Sequence, residues 1–315
     1  MSEPIAFGMP HSGLRGRLLE NEPMARHVTW RAGGSARRVY VPADLDDLAA
    51  FLRALPAAEP VLFVGLGSNL LVRDGGYRGT VVLFHSSNAR IALEADAVRV
   101  SASAASPKVA RFAATHGFEG AEFLAGIPGS VGGALAMNAG CYGSETWEFV
   151  ESVKTIDRLG ILRTRSRGDF DIGYRHAVLI RGSLGADEWF VEALFRFVAG
   201  DGARARSRIR ELLARRIATQ PLGLPNAGSV FRNPPGDHAA RLIEACGLKG
   251  FTIGGARISE RHANFIVNPG GCASAWDIEA LIAHARESVR HKFAVDLVVE
   301  VRVVGERVDA ERDHG

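Results

Sequence analysis

Residues 126–140, Gly126-Ile-Pro-Gly-Ser-Val-Gly-Gly-Ala-Leu-Ala-Met-Asn-Ala-Gly140, carry five glycines and no charge in fifteen positions. This stretch constrains the chain more than any other. Glycine inside a helix or strand costs roughly 0.5–1 kcal/mol relative to alanine, so the composition argues against an ordinary regular element. Two readings remain. Either the backbone is bared so that its N–H groups can approach a polyphosphate or a flat cofactor, or two segments pack too closely for side chains. A second glycine loop upstream, Gly65-Leu-Gly-Ser-Asn69, favours the cofactor.

Periodicity and breakers organise the rest. Residues 1–20 form a polar lead-in punctuated by Gly and Pro, and 36–42 suit a strand. Leu45, Leu48, Ala49 and Leu52 recur at helical spacing, with Asp44 as N-cap and Pro56 as stop. Strands at 61–64 and 80–84 flank the first glycine loop. A strand at 98–102 precedes a helix that Ser106-Pro107 opens and Gly117 closes. Strands at 150–157, 162–166 and 189–198 give the middle an α+β character with mixed or antiparallel pairing. Asp201-Gly202 marks a boundary, after which 204–217 form a basic amphipathic helix, either a solvated face or a basic rim near an anionic substrate. Beyond it come helices at 238–246 and 274–292 and strands at 264–267 and 297–304. The chain divides into 21–85, 86–200 and 201–305.

The bulk properties exclude several classes. A net charge of +3 over 315 residues gives no strong nucleic-acid signal and suits an anionic small molecule. Cys141, Cys246 and Cys272 are odd in number and contain no C-x-x-C, so neither a disulfide framework nor a zinc ribbon is written here. No signal peptide precedes residue 20 and no apolar run approaches ~18 residues, which places the chain in the cytoplasm and off the membrane. The histidines show no metal-ligand spacing, and no G-x-S-x-G elbow is present.

The Gly65-x-Gly67 loop follows a strand, but Leu70 stands where a dinucleotide fingerprint needs Gly or Ala. No P-loop exists either. What remains are small residues that let the backbone wrap a pyrophosphate, with Ser68 and Asn69 adding side-chain donors and acceptors. Three further polar sites stand out. Tyr174-Arg175-His176 sits between strands. Ser229 lies in the small-residue loop Asn226-Ala-Gly-Ser-Val-Phe-Arg-Asn-Pro234. Glu300 shares one face of an alternating strand with Arg302, opposite Val299, Val301 and Val303. A structural ion pair, a turn hydroxyl and a solvated strand face are the alternative readings of Arg175, Ser229 and Glu300.

Taken together, these segments resemble the UDP-N-acetylenolpyruvoylglucosamine reductases, from about residue 27 to 305. The resemblance is carried by His27-Val-Thr-Trp-Arg-Ala-Gly-Gly34, the 65–76 loop, Glu122 to Ala134, Met137-Asn-Ala-Gly-Cys-Tyr-Gly143, Tyr174-Arg175, Ala227-Gly-Ser-Val-Phe-Arg-Asn-Pro234, Leu242-Ile-Glu244 and Glu300. It implies an FAD-binding fold of the vanillyl-alcohol-oxidase (PCMH) type in two subdomains, followed by an α+β substrate-binding domain. It implies non-covalently bound FAD, held by Gly65, Gly67, Ser68 and Asn69 and by Gly126, Pro128, Gly129, Ser130, Gly132, Gly133, Asn138 and Gly140. NADPH would be the co-substrate and UDP-N-acetylglucosamine enolpyruvate the substrate, with no obligate protein partner. Arg175 would polarise the substrate carboxylate, Glu300 would stabilise the enolic intermediate and Ser229 would donate a proton to C2. Tyr174, Arg232 and Asn233 would contact substrate. Arg232 replaces a lysine common in the family, and the chain resembles the shorter subclass that lacks a substrate-closing segment. The alternatives are another FAD oxidase or dehydrogenase on this fold acting on a small alcohol or sugar, where Cys141 would be the candidate for a covalent flavin link, and a non-catalytic nucleotide-binding module.

Overall fold

The β-α-β pattern of the first segment becomes a four-stranded sheet in the order Arg17–Pro23, Ser35–Val41, Tyr77–Leu83, Val61–Val64. The first pair is antiparallel and the other two are parallel. The computed structural model describes residues 13–86 and 88–308. A crossover needs a covering element, and the helix Leu45–Ala54 supplies it: Asp44 caps it by accepting from the Asp47 amide at 2.9 Å, and Leu48, Phe51 and Leu52 are buried against the sheet. The strand Arg17–Pro23 runs through the expected lead-in. None of its residues is fully buried, so the sequence carries no alternation to announce it.

The middle of the chain forms a five-stranded antiparallel sheet, ordered Leu162–Ser166, Val150–Asp157, Glu188–Phe195, Ala97–Ser101, Ile91–Glu94. Its core gathers Val98, Trp147, Phe190 and Phe195 with the helix Ser106–Thr115, and also takes in Ala205 and Ile209. The basic helix, Gly202–Thr219, therefore packs on the middle core although it follows the Asp201-Gly202 boundary.

The glycine stretch holds a surprise. Residues Val131–Ala136 are a short helix, capped by Ser130, with Gly132 and Gly133 inside it. The expectation of no regular element is corrected by packing: the Gly132 amide donates to Ala102 O at 2.8 Å, and a Cβ on Gly132 would stand 3.2 Å from that oxygen. Close approach of helix to strand outweighs the propensity cost.

The last segment shares its core with the first. Helices Ala239–Ala245 and Ala275–Phe293, the second opened by a Ser274/Asp277 capping box, enclose a cluster that includes Trp30 and Leu71. Trp30 donates Nε1–H to Ile266 O at 2.7 Å, and Asn268 Nδ2 donates to Trp30 O at 3.0 Å. The expected strand over 297–304 is regular only at Arg302–Val304, which pairs in parallel with Leu70–Val72. Upstream it is held by a bridge from Val299 to Phe231 and by the Glu300 amide donating to Val230 O at 2.8 Å. The alternation read from sequence survives: Val301 is buried, and Val299 and Val303 pack on the same core.

Candidate active site

The two glycine loops, the turn at 173–176, the serine loop and the segment around Glu300 surround one cleft of about 360 Å³. That volume lies in the range of small-molecule sites. Gly65, Gly67, Ser68, Asn69, Gly126, Pro128, Gly129, Ser130, Gly133, Gly140, Tyr174, Arg175, Ser229, Asn233 and Glu300 all line it.

The loops fit a dinucleotide cofactor by the space they leave and the donors they present. A Cβ on Gly65 would lie 2.1 Å from Ser130 Oγ, and one on Gly129 would lie 3.1 Å from Ser68 Oγ. The loops thus face each other with room for no side chain at the contact. Gly67 has φ +63° and its Cβ would meet His27 O at 2.0 Å, so only glycine fits that turn. The amides of Gly67, Ser68, Asn69, Gly129 and Ser130 have no acceptor among the described residues, leaving a ring of donors for a pyrophosphate. The short helix contributes none of its first three amides: Val131, Gly132 and Gly133 donate to Ala104 O, Ala102 O and Ser130 Oγ. Behind the loops, Phe63, Phe84, Trp189 and Phe190 line an aromatic recess of about 120 Å³ that shares Gly65, Ser130, Gly133 and Arg302 with the cleft.

Arg175 occupies the hairpin turn between Phe170–Gly173 and His176–Leu179, with φ +54°. A non-glycine residue there is strained, and surrounding contacts must hold it. Its Nε donates to Glu300 Oε1 at 3.0 Å, and its terminal nitrogens donate to Gly140 O at 2.8 Å and Asn138 O at 3.5 Å. The guanidinium lies 4.9 Å from the Tyr174 ring centroid. Burial pushes the Glu300 carboxyl above its ordinary value, against the opposing pull of Arg175 and Arg232. Ser229 adjoins Val230, whose carbonyl accepts from the Glu300 amide, so the hydroxyl and the carboxyl belong to neighbouring extended segments. Among the described residues nothing hydrogen-bonds the Ser229 hydroxyl. The glycine loop is tied to the same strand: Asn69 Nδ2 donates to Glu300 O at 3.2 Å, and the Arg302 amide donates to Asn69 O at 3.1 Å.

Three expected residues lie off the cleft wall. Gly132 faces Ala102, as described above. Asn138 is 2 % exposed and bonded into the protein. Arg232 does not line the cleft, and its buried Nε has no partner, but its charge reaches Glu300. Asn233 has a structural duty as well, since its Oδ1 accepts from the Ala239 amide at 3.1 Å at the start of a helix.

Arg216, Gln220 and Arg302, none of them singled out from the sequence as site residues, also line the cleft; for Arg216 the basic-rim reading of its helix pointed the right way. Arg216 Nε donates to Gln220 Oε1 at 2.8 Å, and among the described residues no carboxylate pairs with it. Burial pulls its guanidinium below the ordinary value. Its helix reads as a solvated basic face, and Arg204 and Arg208 do pair at the surface with Glu119 and Glu211. The available signal was the Arg216/Gln220 pair one turn apart, directly before Pro221 and the serine loop. Cys141 also lines the cleft; burial raises its thiol to about 11, and Sγ donates to Phe123 O. Among the described residues no group of three or more His, Cys, Asp or Glu side chains could hold a metal ion. No helix among them is long and apolar enough to cross a membrane.

Comparison with known proteins places this architecture. Residues 36–165 match the FAD binding domain family, and residues 220–304 match the C-terminal domain family of UDP-N-acetylenolpyruvoylglucosamine reductase. The chain is 58 % identical over 321 residues to the UDP-N-acetylenolpyruvoylglucosamine reductase of Thiobacillus denitrificans, covering 98 % of each chain. It is 55 % identical over 294 residues to that of Methylococcus capsulatus, covering 93 % of this chain and 94 % of the relative. The crystal structure of the Thermus caldophilus reductase superposes with a TM-score of 0.76 at 29 % identity, over 92 % of this chain and 99 % of that one. The two-subdomain FAD fold, the C-terminal domain and the cleft between them thus identify this chain as a member of the UDP-N-acetylenolpyruvoylglucosamine reductase family, FAD-containing oxidoreductases that use NADPH to reduce UDP-N-acetylglucosamine enolpyruvate to UDP-N-acetylmuramate in peptidoglycan precursor synthesis.

Proposed function

We propose that three residues from separate parts of the chain, Arg175, Ser229 and Glu300, carry the reduction of the enolpyruvyl group. The observation that carries this reading is their meeting in one cleft with both glycine loops, with Arg175 bonded to Glu300. FAD bound there, with NADPH as its reductant, would supply the hydride for C3 of the enolpyruvyl ether. The unpartnered amides of 67–69 and 129–130 would hold its pyrophosphate, and the aromatic recess would suit its adenine.

The chain's own residues handle the charge and the proton. Hydride addition leaves negative charge at C2, delocalised into the carboxylate. Arg175 binds that carboxylate, its planar fork matching two oxygens where a lysine would match one. Glu300 donates to the same developing charge from its protonated form, which burial favours, and its hydrogen bond to Arg175 orients both groups. Ser229 gives its proton to C2 and recovers one from solvent, completing the addition of hydride and proton across the double bond. Tyr174 and Asn233 support substrate from the cleft wall, and Arg232, set behind it, acts through its charge on Glu300. Arg216 supplies an uncompensated cation for the anionic nucleotide end of a ligand.

The test separates the half-reactions. Ser229→Ala is expected to leave NADPH-driven flavin reduction near normal and to slow reoxidation by the enolpyruvyl sugar by about 10²–10⁴-fold, the range for a positioned proton donor. Equal loss in both halves would remove Ser229 from the proton path.

A further inference from the structure

Asn138 stands at the end of the glycine stretch, yet its side chain turns away from the cleft and into the protein. Its amide is fully used. Nδ2 donates to Glu145 Oε2 at 2.8 Å and to Gly173 O at 3.0 Å, and Oδ1 accepts from the Trp147 amide at 3.1 Å. The reversed amide would set its oxygen against a carboxylate and a carbonyl, so the network admits one orientation. Gly173 opens the turn that carries Arg175, and Trp147 is 1 % exposed, an anchor in the middle core.

Glu145 completes the arrangement. It pairs with Gly140 in a two-stranded ribbon, and Gly140 O accepts from Arg175. The Glu145 carboxylate comes within 3.8 Å of Arg175 Nη1, so it touches both the amide that holds the turn and the guanidinium that the turn presents. Asn138 O takes the same guanidinium at 3.5 Å. Asn138 itself has φ +42°, a conformation that asparagine tolerates and that aims its carbonyl and its side chain at two different parts of the hairpin.

We propose that Asn138 and Glu145 are positioning residues for the reduction: together they hold the 173–176 turn and fix the direction of the Arg175 guanidinium. The proposal rests on Arg175 as the carboxylate-binding residue. A guanidinium with one N–H on Glu300 and others on Gly140 O and Asn138 O has its remaining donors aimed by these contacts. Releasing the clamp frees a long side chain from a strained backbone, and misplacement on the scale of 1 Å can cost about 10²-fold in rate.

The test uses the FAD-loaded protein. Glu145→Ala, with Asn138→Ala as the harsher companion, is expected to retain flavin and to be reduced by NADPH at about the wild-type rate. Reoxidation by UDP-N-acetylglucosamine enolpyruvate should slow about 10- to 100-fold. Calorimetry with UDP-N-acetylmuramate should show weaker binding. The limb of the reoxidation pH profile that reports Glu300 should move to higher pH, because Arg175 no longer holds that carboxyl down. In an Arg175→Lys background, Glu145→Ala should add less than about twofold, since its effect passes through Arg175. Glu145→Ala that leaves reoxidation unchanged, slows both halves equally, or adds in full to Arg175→Lys overturns the clamp while Arg175 keeps its role. Normal reoxidation in Arg175→Lys alone overturns both.

Discussion

Gly65→Ala tests the cofactor cradle at its tightest point. The new methyl would stand 2.1 Å from Ser130 Oγ and 3.0 Å from Ser130 Cβ, so either the hydroxyl must swing off its cap on the Gly133 amide or the loops must part, by up to about 1.3 Å to reach ordinary contact at 3.4 Å. Such overpacking costs typically 1–3 kcal/mol. In the FAD-free protein the loops can separate and shed much of that strain. In the proposed cradle the FAD pyrophosphate would need the amides of both loops at once, so the strain would fall on binding. At 1.4 kcal/mol per tenfold, FAD affinity should drop about 5- to 150-fold. Quenching of FAD fluorescence during titration of deflavinated protein measures it directly. A second change supplies the control. Ser130→Gly removes both atoms that the methyl would strike, and glycine at an N-cap costs only a few tenths of a kcal/mol. The double variant should therefore recover most of the lost affinity. Wild-type FAD binding by Gly65→Ala, or a double variant no better than the single, would refute the face-to-face cradle.

Other expectations follow from the same geometry. Glu300→Gln should slow sugar-dependent reoxidation yet raise Tm at neutral pH. Burial lifts the folded-state carboxyl above its unfolded value near 4.5, so wild-type stability declines as pH climbs through that window and levels off above the raised value; the Tm gap between the two proteins should open over the same range and then stay constant. Cys141, held up to about 11, should resist alkylation at pH 8 while exposed Cys272 reacts, as mass spectrometry of iodoacetamide-treated protein would show. Acid precipitation should release all the flavin, and Cys141→Ala should stay yellow; flavin retained on the denatured chain would contradict non-covalent binding. Arg216→Met should weaken binding of UDP-N-acetylmuramate by calorimetry about tenfold or more, the loss of one charge-assisted contact; unchanged binding would detach Arg216 from the anionic end.

Much of this was legible in the sequence because local rules carried it. Asp44, Ser106-Pro107 and Ser274 mark helix starts that the structure reproduces. The glycine loops and the positions of Arg175, Ser229 and Glu300 were written as motifs. What escaped depends on long-range contact. The strand Arg17–Pro23 has no buried residue to give it a period. The helix inside the glycine stretch forms because Ala102 and Ala104 accept its amides, and nothing within 126–140 says so. Arg216 looks like its neighbours on the helix until the fold turns it toward the cleft. Asn138 shared a motif with cofactor ligands, but its side chain serves the turn that presents Arg175.

The parallel pairing of Arg302–Val304 with Leu70–Val72 has a consequence for synthesis. The glycine loop at 65–69 leaves the ribosome early, but its Asn69 is anchored to Glu300, 231 positions later. At roughly 5–20 residues per second, that interval lasts about 12–46 s. Throughout it the first loop of the proposed cradle lacks the strand that anchors it. FAD capture is therefore expected to come late in synthesis, and ribosome-stalled chains ending before residue 300 should remain colourless however much FAD surrounds them.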